Sequence, residues 1–575
     1  MAQAPRSSTG SAGELALHQL RTGLASAARR LVTVRPAYVL APLVALQWGM
    51  TLLLGLTATH NGWLFFHGGD GTYYWTSTWS IAHRYVPEAV ISYGLPVLFW
   101  PFGLVFGPNM LLGLPAIVTF QLLVLAPLGI LALYGLAARI GGRLFAYAAV
   151  TAWILAPALA LGFFNAEGLP YRSRAHDLVL PNALGLTNLA DYASMILALV
   201  ATYLVVRAID DRRWNDVILA GLTTGALIAV KPSNGFYVVA PLCAFALSRR
   251  WREGLAFLAL LVPALITLTI WKKIGLGTIP ALSAPDLRVA ASGTFVPQPA
   301  SVERYVRFDW ETLSTNLREL QNAGWSLRFL EWLTIAGILG LIRRAPVYGV
   351  MVAAWFASYL LFKGGAKGLQ SVDQMSFFRF VMPAYPALVL IAVSIVFLVP
   401  GTRRRRRPTP APTRPTAAAL VAVLALAVYP LVLVATATAS PSRLTVRYAA
   451  ANLLVPVVDE LRPTSVVVQP DQVRIRWKTV EHGASRVYFR IYRSAGTGCD
   501  PPPSSHEPCV MRMEPAGVTY RTRYVDRWPP TGQTTYRIGL VAGWNRNPFD
   551  SDLILVGPAF SAKPGRAGAP VEDEG

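Results

Sequence analysis

The sequence predicts an α-helical polytopic membrane bundle of about eleven transmembrane helices, N-terminus in and C-terminus out, with a small C-terminal β-sandwich. Three observations predict it. Hydrophobic residues make up 54% of the 575-residue chain and charged residues only 14%, with a mean hydropathy of +0.43, whereas soluble globular chains carry about 25% charged residues. The apolar residues gather in long runs, separated by short basic clusters. From about residue 462 the runs give way to apolar/polar alternation. The second observation also accounts for the net charge of +22: it is spread through inter-span clusters, as the positive-inside rule requires, and gives no reason to expect nucleic-acid binding.

Taken in order, residues 1–37 are polar, Ala/Ser-rich and basic (Arg29, Arg30, Arg35) and read as a cytoplasmic tail without a cleavable signal peptide. A span needs about 20 mostly apolar residues, fewer where the helix is buried among others. The candidates are 38–58, 110–137, 144–163, 190–207, 216–230, 234–248, 254–272, 327–342, 346–362, 381–399 and 416–438. The Pro- and Gly-rich apolar stretch 95–106 reads as a re-entrant or interfacial piece. Arg139/Arg143, Arg207/Arg212/Arg213, Arg249/Arg250/Arg252, Arg343/Arg344 and the run at 403–407 alternate along the chain and so share the cytoplasmic side with the N-terminal tail. The outer side then receives residues 59–109, 164–189, 231–233, 273–326, 363–380 and everything after about 440. Residues 38–400 form the membrane core, with its long outer loops at 59–109 and 273–326. The basic, Pro-rich segment 401–415 is a cytoplasmic linker into the last span, 416–438.

Beyond the last span, "SVVVQPDQVRIRW" places Val473, Ile475 and Trp477 on one face and Arg474 and Arg476 on the other. "RVYFRIYRS" and "TTYRIGLVAGW" alternate in the same way. Period-two patterns broken by Pro and Gly predict a sandwich over 462–562, and 563–575 reads as a disordered tail. Cys243 lies in an apolar run and reads as a packing residue, while Cys499 and Cys509 bracket a Pro-rich loop and would pair only in an oxidising compartment. High Ala, Arg and Pro usage points to a GC-rich, bacterial genome.

Most of the length outside the membrane falls on the outer face, which suits chemistry at the outer membrane surface. The first outer loop carries "HGGDGTYYW" and, after it, His83, Arg84 and Glu88. The Gly pair permits a tight turn before Asp70. "YYWTSTWSIAHRYV" reads as an amphipathic helix along the interface, its aromatics toward lipid headgroups. One carboxylate among scattered histidines defines no metal-ligand set, so no metal is expected.

An N-in first span, a long first outer loop with an early Asp, then Tyr and an interfacial helix resembles the integral-membrane glycosyltransferases of the C-type superfamily, including the protein O-mannosyltransferase and aminoarabinose-transferase branches. "ISYGLPVLFWPFGLVFG" (91–107), "LAGLTTGALIAVKPSNGFYVVAP" (219–241) and "SFFRFVMPAYPALVLIA" (376–392) resemble that family's approach to its second span, its Gly-rich span ending in Lys, and its late Arg-aromatic entry to a span. The likeness covers residues 38–400, and the tail resembles a fibronectin type III domain. It implies a sugar donor carried on polyprenyl phosphate, which is a co-substrate rather than a cofactor, and a glycan, lipid or protein acceptor at the outer face of the cytoplasmic membrane. Asp70 matches the family's first-loop acid and would be the general base. Many members carry a second acid directly after it, where this chain has Gly71. Tyr74, His83, Glu88, His176 and Asp177 are candidates for acceptor or sugar contacts. Lys231 and Arg379 would hold the lipid phosphate, with Lys363, Lys367, Arg172 and Arg174 as further cations. Two other functions are compatible with the sequence: a transporter of lipid-linked sugars, which needs groups near the midplane, whereas the obvious acids, Glu331 and Asp191, lie near span ends and neither is central, and a non-catalytic envelope assembly protein that retains the fold.

Overall fold

A computed structural model describes residues 26, 30–57, 69–166, 179–277, 286–289, 295–298, 308–323, 328–365, 376–400, 416–441, 443–449, 453–481, 487–495, 509–530, 532–542 and 552–563. His67, Gly68, Arg172, Arg174, His176, Asp177, Lys367, Cys499 and the tail 564–575 lie outside the described residues.

The apolar runs are helical. Among the described residues seven helices are long and apolar enough to cross a membrane: α1 (Pro36–Leu56), α4 (Met110–Gly141), α5 (Arg143–Ala160), α6 (Ala190–Asp211), α9 (Trp251–Leu276), α12 (Pro346–Gly364) and α13 (Phe378–Leu398). Between them run the shorter apolar helices α3 (Gly94–Phe106), α7 (Trp214–Val230), α8 (Pro232–Leu247) and α14 (Ala419–Ala435). Other helices among the described residues are α2 (Asp70–Ala82), α10 (Trp310–Ala323), α11 (Arg328–Arg344) and a single turn at Leu180–Ala183. Each of the eleven predicted spans coincides with a helix, seven of them of full spanning length by these criteria. The stretch predicted as re-entrant is the helix α3.

Charged side chains collect at the two ends of α6. At one end, Asp210 and Asp211 accept from Arg139, and Arg207 pairs with Asp216. At the other end is Asp191. Nineteen residues of helix separate Asp191 from Asp210, a rise of about 29 Å, which matches the roughly 30 Å hydrocarbon core of a bilayer.

The β-strands are β1 (Tyr85–Val86), the hairpin β2 (Asp286–Val289) and β3 (Phe295–Gln298), β4 (Thr438–Ala439), β5 (Thr445–Tyr448), β6 (Leu453–Pro456), β7 (Pro463–Val468), β8 (Val473–Trp477), β9 (Val487–Ala495), β10 (Cys509–Met511), β11 (Glu514–Thr519), β12 (Arg523–Asp526), β13 (Thr534–Ala542), β14 (Leu553–Val556) and β15 (Phe560–Ala562). A sheet in the order β12-β8-β7 faces one in the order β11-β9-β13-β14, with β15 also on β13. Val473, Ile475 and Trp477 meet Phe489, Ile491, Tyr536 and Ile538 between them. This is the sandwich that the alternation predicts. Asp526 ties the two sheets by accepting from Arg493 at 2.7 Å and from Tyr536 Oη at 2.9 Å.

The β region begins earlier than residue 462, because a third sheet, β10-β5-β6, precedes the sandwich. That sheet packs on the first-loop helix, and it corrects the reading of that helix. α2 does not lie on the interface with its aromatics toward lipid. Gly71 to Ile81 are all buried. On one side α3 packs closely: a Cβ at Gly103 would stand 2.8 Å from the Thr78 carbonyl oxygen, so only glycine fits there. On the other side Thr72 and Thr76 donate to the carbonyls of Leu553 in β14 and Leu454 in β6. Amphipathic spacing states that one face is apolar, and here protein rather than lipid covers it.

Candidate functional site

Both carboxylates of the site sit in the first turn of a helix, where the macrodipole favours negative charge. Asp70 opens α2 directly after Gly69, whose φ of 64° is the left-handed conformation that glycine adopts without strain. Asp191 is the second residue of α6. Lys231 stands at the other kind of helix end, as the C-cap of α7, where a cation is favoured. Arg379 lies just inside the start of α13.

These four residues form a chain of ion pairs. Lys231 Nζ donates to Asp191 Oδ1 at 2.5 Å, Arg379 Nε to Asp191 Oδ2 at 3.1 Å, and an Arg379 terminal nitrogen to Asp70 Oδ2 at 3.1 Å. Asp191 is wholly buried and also accepts from Asn182 Nδ2 at 2.8 Å. Asn182 is in turn held by Thr187, and Gln121 of α4 donates to the Thr187 carbonyl. Asp70 is the open end of the chain, with its side chain 58% exposed.

A third cation borders the group. Lys363, at the end of α12, is 6% exposed and no carboxylate pairs with it among the described residues. Its Nζ lies 5.0 Å from the centroid of the Phe380 ring and 5.9 Å from that of Phe236, while Lys231 Nζ lies 4.5 Å from Phe380. Phe236 stacks on Phe362 at 4.4 Å. Three basic side chains therefore meet two carboxylates around these aromatic rings.

The other sequence candidates divide. Tyr74, one turn after Asp70, is buried beside it; burial first, then the Asp70 and Asp191 carboxylates, push its phenol well above the usual range, so it remains protonated. His83 ends α2, thirteen residues from Asp70 and so about 20 Å along the axis. Its ring packs on Trp79, and Nδ1 donates to the Trp79 carbonyl at 2.8 Å. Glu88 is buried against Arg447 of β5 rather than facing Asp70. Burial pushes its carboxyl up, and the adjacent guanidinium pulls it back down. His83 and Glu88 are therefore not part of the Asp70 cluster. Lys231 and Arg379, expected to hold the lipid phosphate, both donate to Asp191. Among the described residues no group of three or more His, Cys, Asp or Glu could hold a metal ion.

Asp191 is the residue that sequence reasoning set aside. It was nonetheless marked: an acid in the first turn of a long apolar helix, on the membrane side where Lys231 and Arg379 were placed.

No family model matches the sequence, and no curated protein matches it. Among solved structures, the chain is similar to three of an oligosaccharyltransferase of Archaeoglobus fulgidus. One is a complex with zinc and sulfate (16% identity, TM-score 0.40, 70% of this chain and 54% of that one). Another holds an inhibitory peptide and a dolichol-phosphate (16%, 0.37, 71% and 56%). The third is tethered to an acceptor peptide containing the NVT sequon (16%, 0.37, 70% and 54%). The chain spans about half the length of these structures, and a likeness at such TM-scores carries no inference about its reaction.

Proposed function

We propose that the chain is a membrane glycosyltransferase that moves a sugar from a polyprenyl-phosphate carrier to an acceptor hydroxyl at the outer face of the membrane. One observation carries this reading. Asp70, Lys231 and Arg379 come from three stretches far apart in sequence, each singled out by its resemblance to the same superfamily, and they meet in one chain of contacts of 2.5–3.1 Å.

In the proposed reaction Asp70 takes the proton of the acceptor hydroxyl, with Arg379 fixing one carboxylate oxygen and leaving the other for the acceptor. The acceptor oxygen bonds to the anomeric carbon as the bond from that carbon to the phosphate oxygen breaks, with inversion. The phosphate keeps the bonding electrons and passes from one negative charge to two. A positioned base contributes about 10²–10⁴-fold, and fixed cations where charge develops contribute comparably. The roles of the cations are revised accordingly. Asp191 orients Lys231 and Arg379, and Lys363, which no carboxylate pairs with among the described residues, stands with Lys231 across the Phe380 ring to meet the phosphate. Asp191 supplies a second carboxylate near Asp70, which Gly71 does not.

The test is transfer itself. The purified protein in nanodiscs is given radiolabelled polyprenyl-phosphate sugar and an extract of cell-envelope acceptors. Label should leave the lipid fraction for a product stable to mild acid, and a strain lacking the protein should accumulate the donor. If label crosses the bilayer of proteoliposomes while staying on the lipid, the protein is a transporter and this reading fails.

A further inference from the structure

The outward face of the β12-β8-β7 sheet is left open. Strand register places Arg523 opposite Arg476, and Val525 opposite Arg474, which in turn stands opposite Val467. All five side chains are exposed. Among the described residues none of the three arginines pairs with a carboxylate. Like charges directly opposite each other weaken a strand pair, so Arg476 and Arg523 face each other at a cost. At the two ends of β12 stand Tyr520 and Trp528, each 81% exposed, flanked by the exposed Arg521 and Arg527.

From this face we infer a binding site for an anionic polysaccharide, one bearing carboxylate or phosphate groups. Guanidinium forks match those groups bidentately, and the exposed indole and phenol offer flat apolar faces for sugar rings. Strand direction argues against lipid headgroups as the ligand. Asn109, which caps the start of α4, donates to the Glu481 carbonyl at 2.7 Å, so the end of β8 nearest Glu481 is the one held to the membrane bundle. Arg476 and Arg474 lie five and seven residues back along the chain from that anchor, up to about 16 and 23 Å at full extension. Trp528 follows Asp526, which stands opposite Val473 at the far end. Along β8 the face thus runs away from the Asn109 contact, toward the end where Val473, Asp526 and Trp528 stand. This inference does not depend on the proposed transfer reaction.

The test uses full-length protein in nanodiscs of neutral lipid with fluorescein-labelled polygalacturonate, neutral dextran, and vesicles of phosphatidylglycerol as separate probes. Polygalacturonate should bind, and its affinity should fall about tenfold or more on raising sodium chloride from about 50 to about 300 mM. R474S/R476S/R523S should weaken binding at least about tenfold, R474K/R476K/R523K should retain most of it because charge is kept, and W528A should lose several-fold. Equal thermal midpoints for the serine and lysine variants confirm that the sandwich is intact. The inference is overturned if the serine variant binds like wild type, if dextran binds as tightly as polygalacturonate, or if the vesicles are preferred.

Discussion

Asp191 accepts from Lys231, Arg379 and Asn182 while wholly buried, so the two cations depend on it. Replacing it with Ala leaves Lys231 without its acid partner and Arg379 with Asp70 alone, and breaking a buried pair costs about 3–5 kcal/mol; the expected result is a matching fall in stability in denaturant titrations of the detergent-solubilised protein. Lys363 should behave in the opposite way. It has no acid partner among the described residues, so Lys363→Met should leave stability unchanged or slightly raised, yet raise KM for the lipid-linked donor about tenfold or more, because a charge-assisted contact to phosphate is lost. At this scale the sequence was informative where a residue marks chain punctuation. Asp70 follows a glycine turn, Lys231 ends a Gly-rich helix, and Arg379 starts a span. It was misleading where the partner is remote: Glu88 finds Arg447 359 residues away, and nothing local announces that pairing. Asp191 is named by the sequence only as an acid near a span end, because a lone acid at a helix start also reads as an ordinary first-turn carboxylate.

At the level of elements, each apolar run predicted as a span is a helix, and each alternating run quoted from the tail is a strand, because both periods are written directly in the side chains. What covers a given face is not written there. α2 shows this: its aromatic residues suited a lipid interface, but α3 and the β5-β6 sheet bury them. The signal that existed was Gly103 in α3, a glycine within a helix where propensity disfavours it. Gly103→Val should push α3 away from α2, since a Cβ there would stand 2.8 Å from the Thr78 carbonyl oxygen. The expected cost is about 1–3 kcal/mol, with greater protease sensitivity in the first outer loop, measured by limited proteolysis.

For the molecule as a whole, the β region is a brace on the element that carries Asp70. Thr72 and Thr76 of α2 bond to β14 and β6, and Glu88, just beyond α2, pairs with Arg447 in β5. β1 in the first loop runs parallel to β4, which follows the last helix. Arg447→Met alone should cost about 3–5 kcal/mol by leaving Glu88 buried and unpaired. Adding Glu88→Gln should recover part of that loss, and a double-mutant cycle on thermal stability measures the coupling. The sequence located the sandwich but not this brace, because register and docking arise from contacts between distant segments. The convergence of Asp70, Lys231 and Arg379 belongs to the same scale and carries the functional account, so the most direct test acts on its exposed end. Single-turnover transfer from labelled polyprenyl-phosphate sugar should be compared in wild type and Asp70→Asn, with donor affinity measured in parallel. The account expects transfer to fall about 10²-fold or more with donor affinity nearly unchanged. Transfer by Asp70→Asn at the wild-type rate would contradict it.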